Sequence, residues 1–111
     1  AEVIGKMLEA DVIVMATPVY FYAMSAQMKT LIDRCCGPYT EMKNKEFYFI
    51  ATAAEEDETI MKRVVDNFCG FLDCLENPVI KGTVFGGGVW HVGEITDKPV
   101  LTEAYEMGKK V

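Results

Sequence analysis

The chain has 111 residues, half of them hydrophobic, which suffices for one modest core, and a net charge of -6 with no basic block. That charge argues against nucleic acid or an anionic membrane surface as partner. No apolar run approaches the roughly 20 residues needed to span a bilayer, and no basic leader with a cleavage site is present. Four cysteines without a paired framework point to reduced thiols in a cytoplasmic protein.

In chain order, residues 1–10 read as the end of a helix with Val3, Ile4, Met7 and Leu8 on one side. Residues 12–16 form an unbroken, β-branched apolar run, the pattern of a parallel strand covered on both faces. Thr17-Pro18 ends it, since proline has no N–H for a ladder and restricts the residue before it. Ser25 is a natural N-cap for a helix whose apolar stripe is Met24, Met28, Leu31, Ile32 and Cys35, closed by Gly37-Pro38 with glycine at C′.

Between this strand and helix lies Pro18-Val19-Tyr20-Phe21-Tyr22-Ala23-Met24, too apolar for an ordinary solvated loop. Open α/β sheets bind ligands at the carboxyl ends of their strands, where flat side chains and backbone N–H groups suit a planar, partly apolar ring. The residues alone leave a second reading open, in which two of the three aromatics pack under the next helix.

The string T-P-V-Y-F-Y-x-M-S-x-Q-M-K-x-L-I-D-R, from Thr17 to Arg34, resembles the second flavin-binding loop and following helix of the flavodoxin-like NAD(P)H-dependent FMN reductases, of which the iron–sulfur flavoproteins are a close branch. The likeness runs nearly unbroken over about 25 positions, with a weaker continuation to the C-terminus. It implies an α/β, three-layer parallel sheet of strand order 2-1-3-4-5, of which this sequence supplies the last three strand–helix units. The first strand, its phosphate-binding loop, the first helix and the second strand have no counterpart among these residues. Residues 1–111 are therefore expected to be a single, N-terminally truncated flavodoxin-like domain.

Further along, residues 39–46 form a polar connection, residues 47–51 a second buried strand, and a helix starts near Thr59. That helix carries Ile60, Val64, Phe68, Phe71, Leu72 and Leu75 on its apolar face and ends at Asn77-Pro78. Glu55 to Glu58 is an acidic run of the kind any helix N-terminus favours. Residues 79–89 read as the third strand, with Gly82 inside and Gly86-Gly87-Gly88 at its end making a tight bend that lets Trp90 and His91 reach a flavin edge or a neighbouring subunit. Asp97 is expected to cap a last helix with Pro99 in its first turn, Leu101, Ala104, Tyr105 and Gly108 on its packed face, and Lys109-Lys110 at its C-terminus.

Flavin chemistry resides in the isoalloxazine, so no catalytic side chain is required, and none is expected here. His91 is the only histidine, and no serine or cysteine has a recognisable partner for a hydrolase triad. Cys35-Cys36 and Cys69/Cys74 do not form C-x-x-C, and none matches the cysteine cluster of the iron–sulfur branch, so no metal site is expected.

By resemblance, the backbone of Thr17, Pro18, Val19 and Tyr20 would line the isoalloxazine, Phe21, Tyr22 and Met24 would wall it, and Thr52, Ala53 and Ala54 would lie against its other side. It implies an FMN-dependent NAD(P)H oxidoreductase, of the flavin, quinone or small-molecule reductase type, with a small-molecule electron acceptor. The alternatives are a flavin-binding electron-carrier module and a non-catalytic fragment that has lost FMN. Without the phosphate loop, these residues alone are expected to bind FMN weakly or not at all. The strand at residues 12–16 would become an exposed central edge, so self-association is expected.

Overall fold

The computed structural model describes every residue from Ala1 to Val111. Helix α1 (Glu2–Glu9) leads into strand β1 (Val12–Pro18), helix α2 (Ala26–Arg34), strand β2 (Glu46–Thr52), helix α3 (Glu58–Leu72), strand β3 (Val79–Gly86) and helix α4 (Pro99–Gly108), with short 3-10 turns at Tyr39–Glu41 and Glu94–Asp97. The three strands pair in parallel, in chain order. Parallel neighbours need long crossovers, and α2 and α3 supply them. None of the helices is long and apolar enough to cross a membrane.

The core lies on one face of the sheet. Ile13 and Met15 of β1 and Phe47, Phe49 and Ala51 of β2 meet Met7 of α1 and Met61, Val64, Phe68, Phe71 and Leu72 of α3. The Phe49 and Phe68 rings stack at 4.3 Å between centroids, and Phe71 meets Phe47 edge-on at 6.5 Å. Each of these buried rings contributes about 1.5–3 kcal/mol of hydrophobic stabilisation. The helix phase expected for α3 is observed, and Leu75 is buried just beyond its end.

The opposite face is covered only in part. A Cβ on Gly82 would meet the Met107 sulfur at 2.7 Å and the Tyr48 ring at 3.2 Å. This close approach of α4 sets that helix's rotation, so Val100, Ala104 and Met107 are half-buried while Leu101 and Tyr105 are exposed. Of the expected packed face of Leu101, Ala104, Tyr105 and Gly108, only Ala104 is thus half-buried, and the other three are exposed. No element lies over β1 on this side. Ile13, Met15 and Thr17 are buried, but Val14 is 53% exposed and Ala16 is exposed, so β1 is covered on one face and not on both.

Other departures are local. Helix α2 ends without a left-handed glycine: Cys35 is its C-cap, and the N–H groups of Cys35 and Cys36 turn back to the carbonyls of Ile32 and Asp33. The N-cap of α4 is Lys98, not Asp97, which lies in the preceding 3-10 turn. Strand β3 stops at Gly86 because Gly87 and Gly88 bend away onto the backbone of Glu55 and Glu56. In the polar connection Lys45 is buried, its ammonium donating to the carbonyls of Leu8, at 2.9 Å, and Ala10, where a cation complements the end of α1.

Candidate functional site

The register aligns Pro18, Thr52 and Gly86 at the carboxyl ends of β1, β2 and β3. The Val19 N–H donates to the Thr52 carbonyl at 2.8 Å, which continues the β1–β2 ladder by one rung. Alternation along a parallel strand then aims the Pro18 nitrogen at the unpaired edge of β1, where a missing N–H breaks no rung.

Beyond Val19 the chain makes a tight reversal. Tyr20 N–H bonds Ala23 C=O at 3.0 Å and Ala23 N–H bonds Tyr20 C=O at 3.1 Å. The two central residues, Phe21 and Tyr22, have φ of 49° and 65°. A two-residue turn with both central φ positive is of the I′ kind and ordinarily carries Asn-Gly. Bulky side chains there are strained by about 1–3 kcal/mol each, and such strain concentrates at functional sites. The turn throws Phe21 wholly into solvent, at 100% exposure, with Tyr20 and Tyr22 also exposed. Arg63 of α3 lies over the Tyr22 ring, 4.5 Å from its centroid.

The base of this turn is fixed. Thr17 is buried, and its hydroxyl donates to Pro18 C=O at 2.8 Å and accepts the Ser25 N–H at 2.9 Å. Ser25 in turn caps α2 by accepting the Met28 N–H at 3.2 Å, as its position before the helix implies.

The second loop, at Thr52, Ala53 and Ala54, is tied to the end of β3. Ala53 is buried, donates to Gly86 C=O at 3.0 Å and accepts from Val89 N–H at 3.0 Å. Glu56 covers Gly88, whose φ is +72°, and pairs with Lys98 at 3.3 Å. Asp57 caps α3 by accepting the Thr59 N–H at 2.9 Å, and that bond holds its carboxyl below the usual carboxylate range.

The residues singled out in the sequence therefore separate into two groups, with Thr52 and Ala54 half-buried between them. Tyr20, Phe21 and Tyr22 form an exposed aromatic rim, and Pro18 is exposed beside it. Thr17, Val19, Met24 and Ala53 lie beneath, and Met24 is packed in the core instead of walling the loop. The backbone donors also differ from expectation. Val19 and Tyr20 N–H are engaged within the protein, whereas those of Phe21, Tyr22, Met24 and Ala54 make no intramolecular bond. Trp90 and His91 are exposed, with both backbone N–H groups turned onto the Glu94 carboxylate.

Sequence reasoning missed a hollow of about 640 Å³ between α2 and α3, lined by exposed Cys36 and Cys74 and by buried Cys35, beside Met24 and Phe71. Nothing in the spacing of these cysteines announces it, because only the packing of the two helices brings them together. No three His, Cys, Asp or Glu side chains converge there, or elsewhere, as metal ligands would.

A parallel sheet in chain order, with helical crossovers and loops gathered at its carboxyl edge, defines a flavodoxin-like α/β protein. Solved structures agree on that fold. The Trp repressor binding protein of Bacillus subtilis superposes with a TM-score of 0.80 at 22% identity, over 96% of this chain and 69% of that one. The apo form of an NADH:FMN oxidoreductase, EMOB, superposes with a TM-score of 0.76 at 14% identity, over 98% of this chain and 56% of that one. The model of the NADPH-dependent FMN reductase family matches residues 1–92, and the chain belongs to that family. An iron-sulfur flavoprotein of Methanocaldococcus jannaschii is 54% identical over 33 residues, which are 30% of this chain and 17% of the length of that protein.

Proposed function

We propose that these residues supply the ring-facing part of an FMN site in an FMN-dependent oxidoreductase that takes electrons from NAD(P)H and passes them to a small-molecule acceptor. The observation that carries this reading is the strained Phe21-Tyr22 turn at the carboxyl end of β1, with unengaged N–H groups at Phe21 and Tyr22. A planar, polar-edged ring fits that donor set: the aromatic rim offers flat apolar contact, and free N–H groups can bond ring heteroatoms. The Ala54 N–H on the neighbouring loop is a further donor of the same kind. Family membership supports the cofactor assignment. When bound, FMN supplies the redox chemistry, and the residues here bind the ring, orient it and shield it from water.

The phosphate end of FMN does not fit these residues. At the N-terminus of α2 the Ser25 hydroxyl takes the Met28 N–H, and the N-terminus of α3 is capped by Asp57 among Glu55, Glu56 and Glu58, which would repel a dianion. Lys98, at the start of α4, is paired with Glu56. Binding by this chain alone is accordingly weak and rests on the ring.

Quenching of flavin fluorescence tests this directly. Riboflavin and FMN are expected to bind with affinities within about twofold of each other, since the phosphate adds no contact here. Sub-micromolar FMN binding with riboflavin much weaker would show a phosphate grip that this reading denies. No quenching of either flavin would remove the ring site altogether. If quenching is seen, NADH and NADPH oxidation with a quinone acceptor is the next measurement.

A further inference from the structure

We propose that Arg63 is a positioning residue for the aromatic turn: its guanidinium holds the Tyr22 ring and so keeps the strained turn in the shape that projects Phe21 fully into solvent. The three aromatics of the loop are not equivalent. Phe21 is 100% exposed, whereas Tyr22 lies under the Arg63 guanidinium, 4.5 Å from centroid to carbon. Two consecutive bulky residues at positive φ need a compensating interaction, because a I′ turn of this sequence is otherwise disfavoured. Phe21 has no such interaction to offer. The ring of Tyr22 does, since a guanidinium over an aromatic face is attracted by the ring quadrupole.

Arg63 is free for this role. It is exposed on α3, while Ile60 and Val64 beside it are buried. It joins none of the ion pairs of the chain. The contact also ties the loop after β1 to α3, the helix that follows the loop after β2. On the flavin reading above, on which only this last point rests, Phe21 is the ring that meets the ligand and Tyr22 is its support.

Amide hydrogen exchange tests the latch without any ligand. The N–H groups of Tyr20 and Ala23 close the turn and report its opening directly. In Arg63→Ala their exchange is expected to accelerate about two- to fivefold, the size of an exposed cation–π contact. Sheet amides such as those of Met15 and Phe49 should not change. Arg63→Lys, which keeps the cation, should restore most of the protection. In a Tyr22→Leu background, Arg63→Ala should add nothing. Unchanged turn exchange in Arg63→Ala would overturn the proposal. So would equal acceleration in the sheet, which would mark Arg63 as a general stabiliser, or an undiminished effect without the Tyr22 ring. Failure of the wild-type chain to bind riboflavin would remove the flavin reading and leave the exchange result to decide the latch.

Discussion

The hydroxyl of Thr17 accepts the N–H of Ser25 at 2.9 Å while it donates to the carbonyl of Pro18 at 2.8 Å, joining the end of β1 to the start of α2. The aromatic turn springs from between these two anchors. Thr17→Val preserves the side-chain shape but strands the Ser25 N–H in a buried position. A stability loss of about 1–3 kcal/mol is expected, read from the urea midpoint at constant slope. Thr17→Ser, which keeps the hydroxyl, should lie close to wild type.

The double substitution Phe21→Asn with Tyr22→Gly installs the residues that an I′ turn prefers. The chain should become more stable by about 1–3 kcal/mol, because the strain at two positive-φ positions is relieved. Riboflavin quenching should fall at the same time, since both rings are gone. Opposite signs in the two measurements are the mark of a turn kept strained for binding. A loss of stability would show that the rings stabilise the turn by more than their backbones strain it.

Strand β1 leaves one edge unpaired and one apolar face bare, with Val14 53% exposed. A flat, hydrophobic edge strand is a template for another chain. We propose that two copies pair there, and sedimentation at tens of micromolar should show the dimer. Val14→Lys places a charge on that strand and should return the protein to monomer. A wild-type monomer at that concentration would refute the pairing.

Asp57 gives the fold a defined acid sensitivity. Its carboxyl titrates below the usual range because it accepts the Thr59 N–H in the folded state. A lowered folded pKa means that the contribution of the cap is whole above the unfolded value and is lost as pH falls through the folded one. Against Asp57→Asn, the wild-type advantage should be constant above about pH 5 and shrink below it. Thermal melts of the two proteins across that range measure the difference.

The thiols should separate by burial. Cys36 and Cys74 are exposed, whereas Cys35 is 1% exposed and burial pushes its pKa up. Burial first, then the charges of Asp73 and Asp66, raise the Cys69 thiol as well. A chromogenic disulfide reagent near neutral pH should titrate two thiols quickly and a third slowly. Cys35 should react only on unfolding. Rapid reaction of Cys35 in the folded protein would contradict its packing.

Much of this was legible in the order of residues. The phase of α3 follows from Ile60, Val64, Phe68 and Phe71, a stripe strong enough to orient a helix by itself. Ser25 declares the start of α2, because an N-cap hydroxyl bonds a backbone three residues on and needs no distant partner. The aromatic run after β1 stands out for the same reason: its meaning lies in adjacent residues. Helix α4 was not legible in the same way. Its apolar residues allow more than one packed face, and the close approach of Met107 to Gly82 selects Val100, Ala104 and Met107.

What the sequence determined by itself is the set of elements, their order and the loop that carries the family likeness, since periodicity, capping and turn chemistry act over a few residues. The tertiary structure alone decided that β1 is covered on one face, that Lys45 is buried against the end of α1, that three thiols share a hollow, and that Arg63 rests on Tyr22. Each of these depends on which surfaces meet across the sheet or between helices. Such meetings join residues far apart in the chain, where local pattern has no reach.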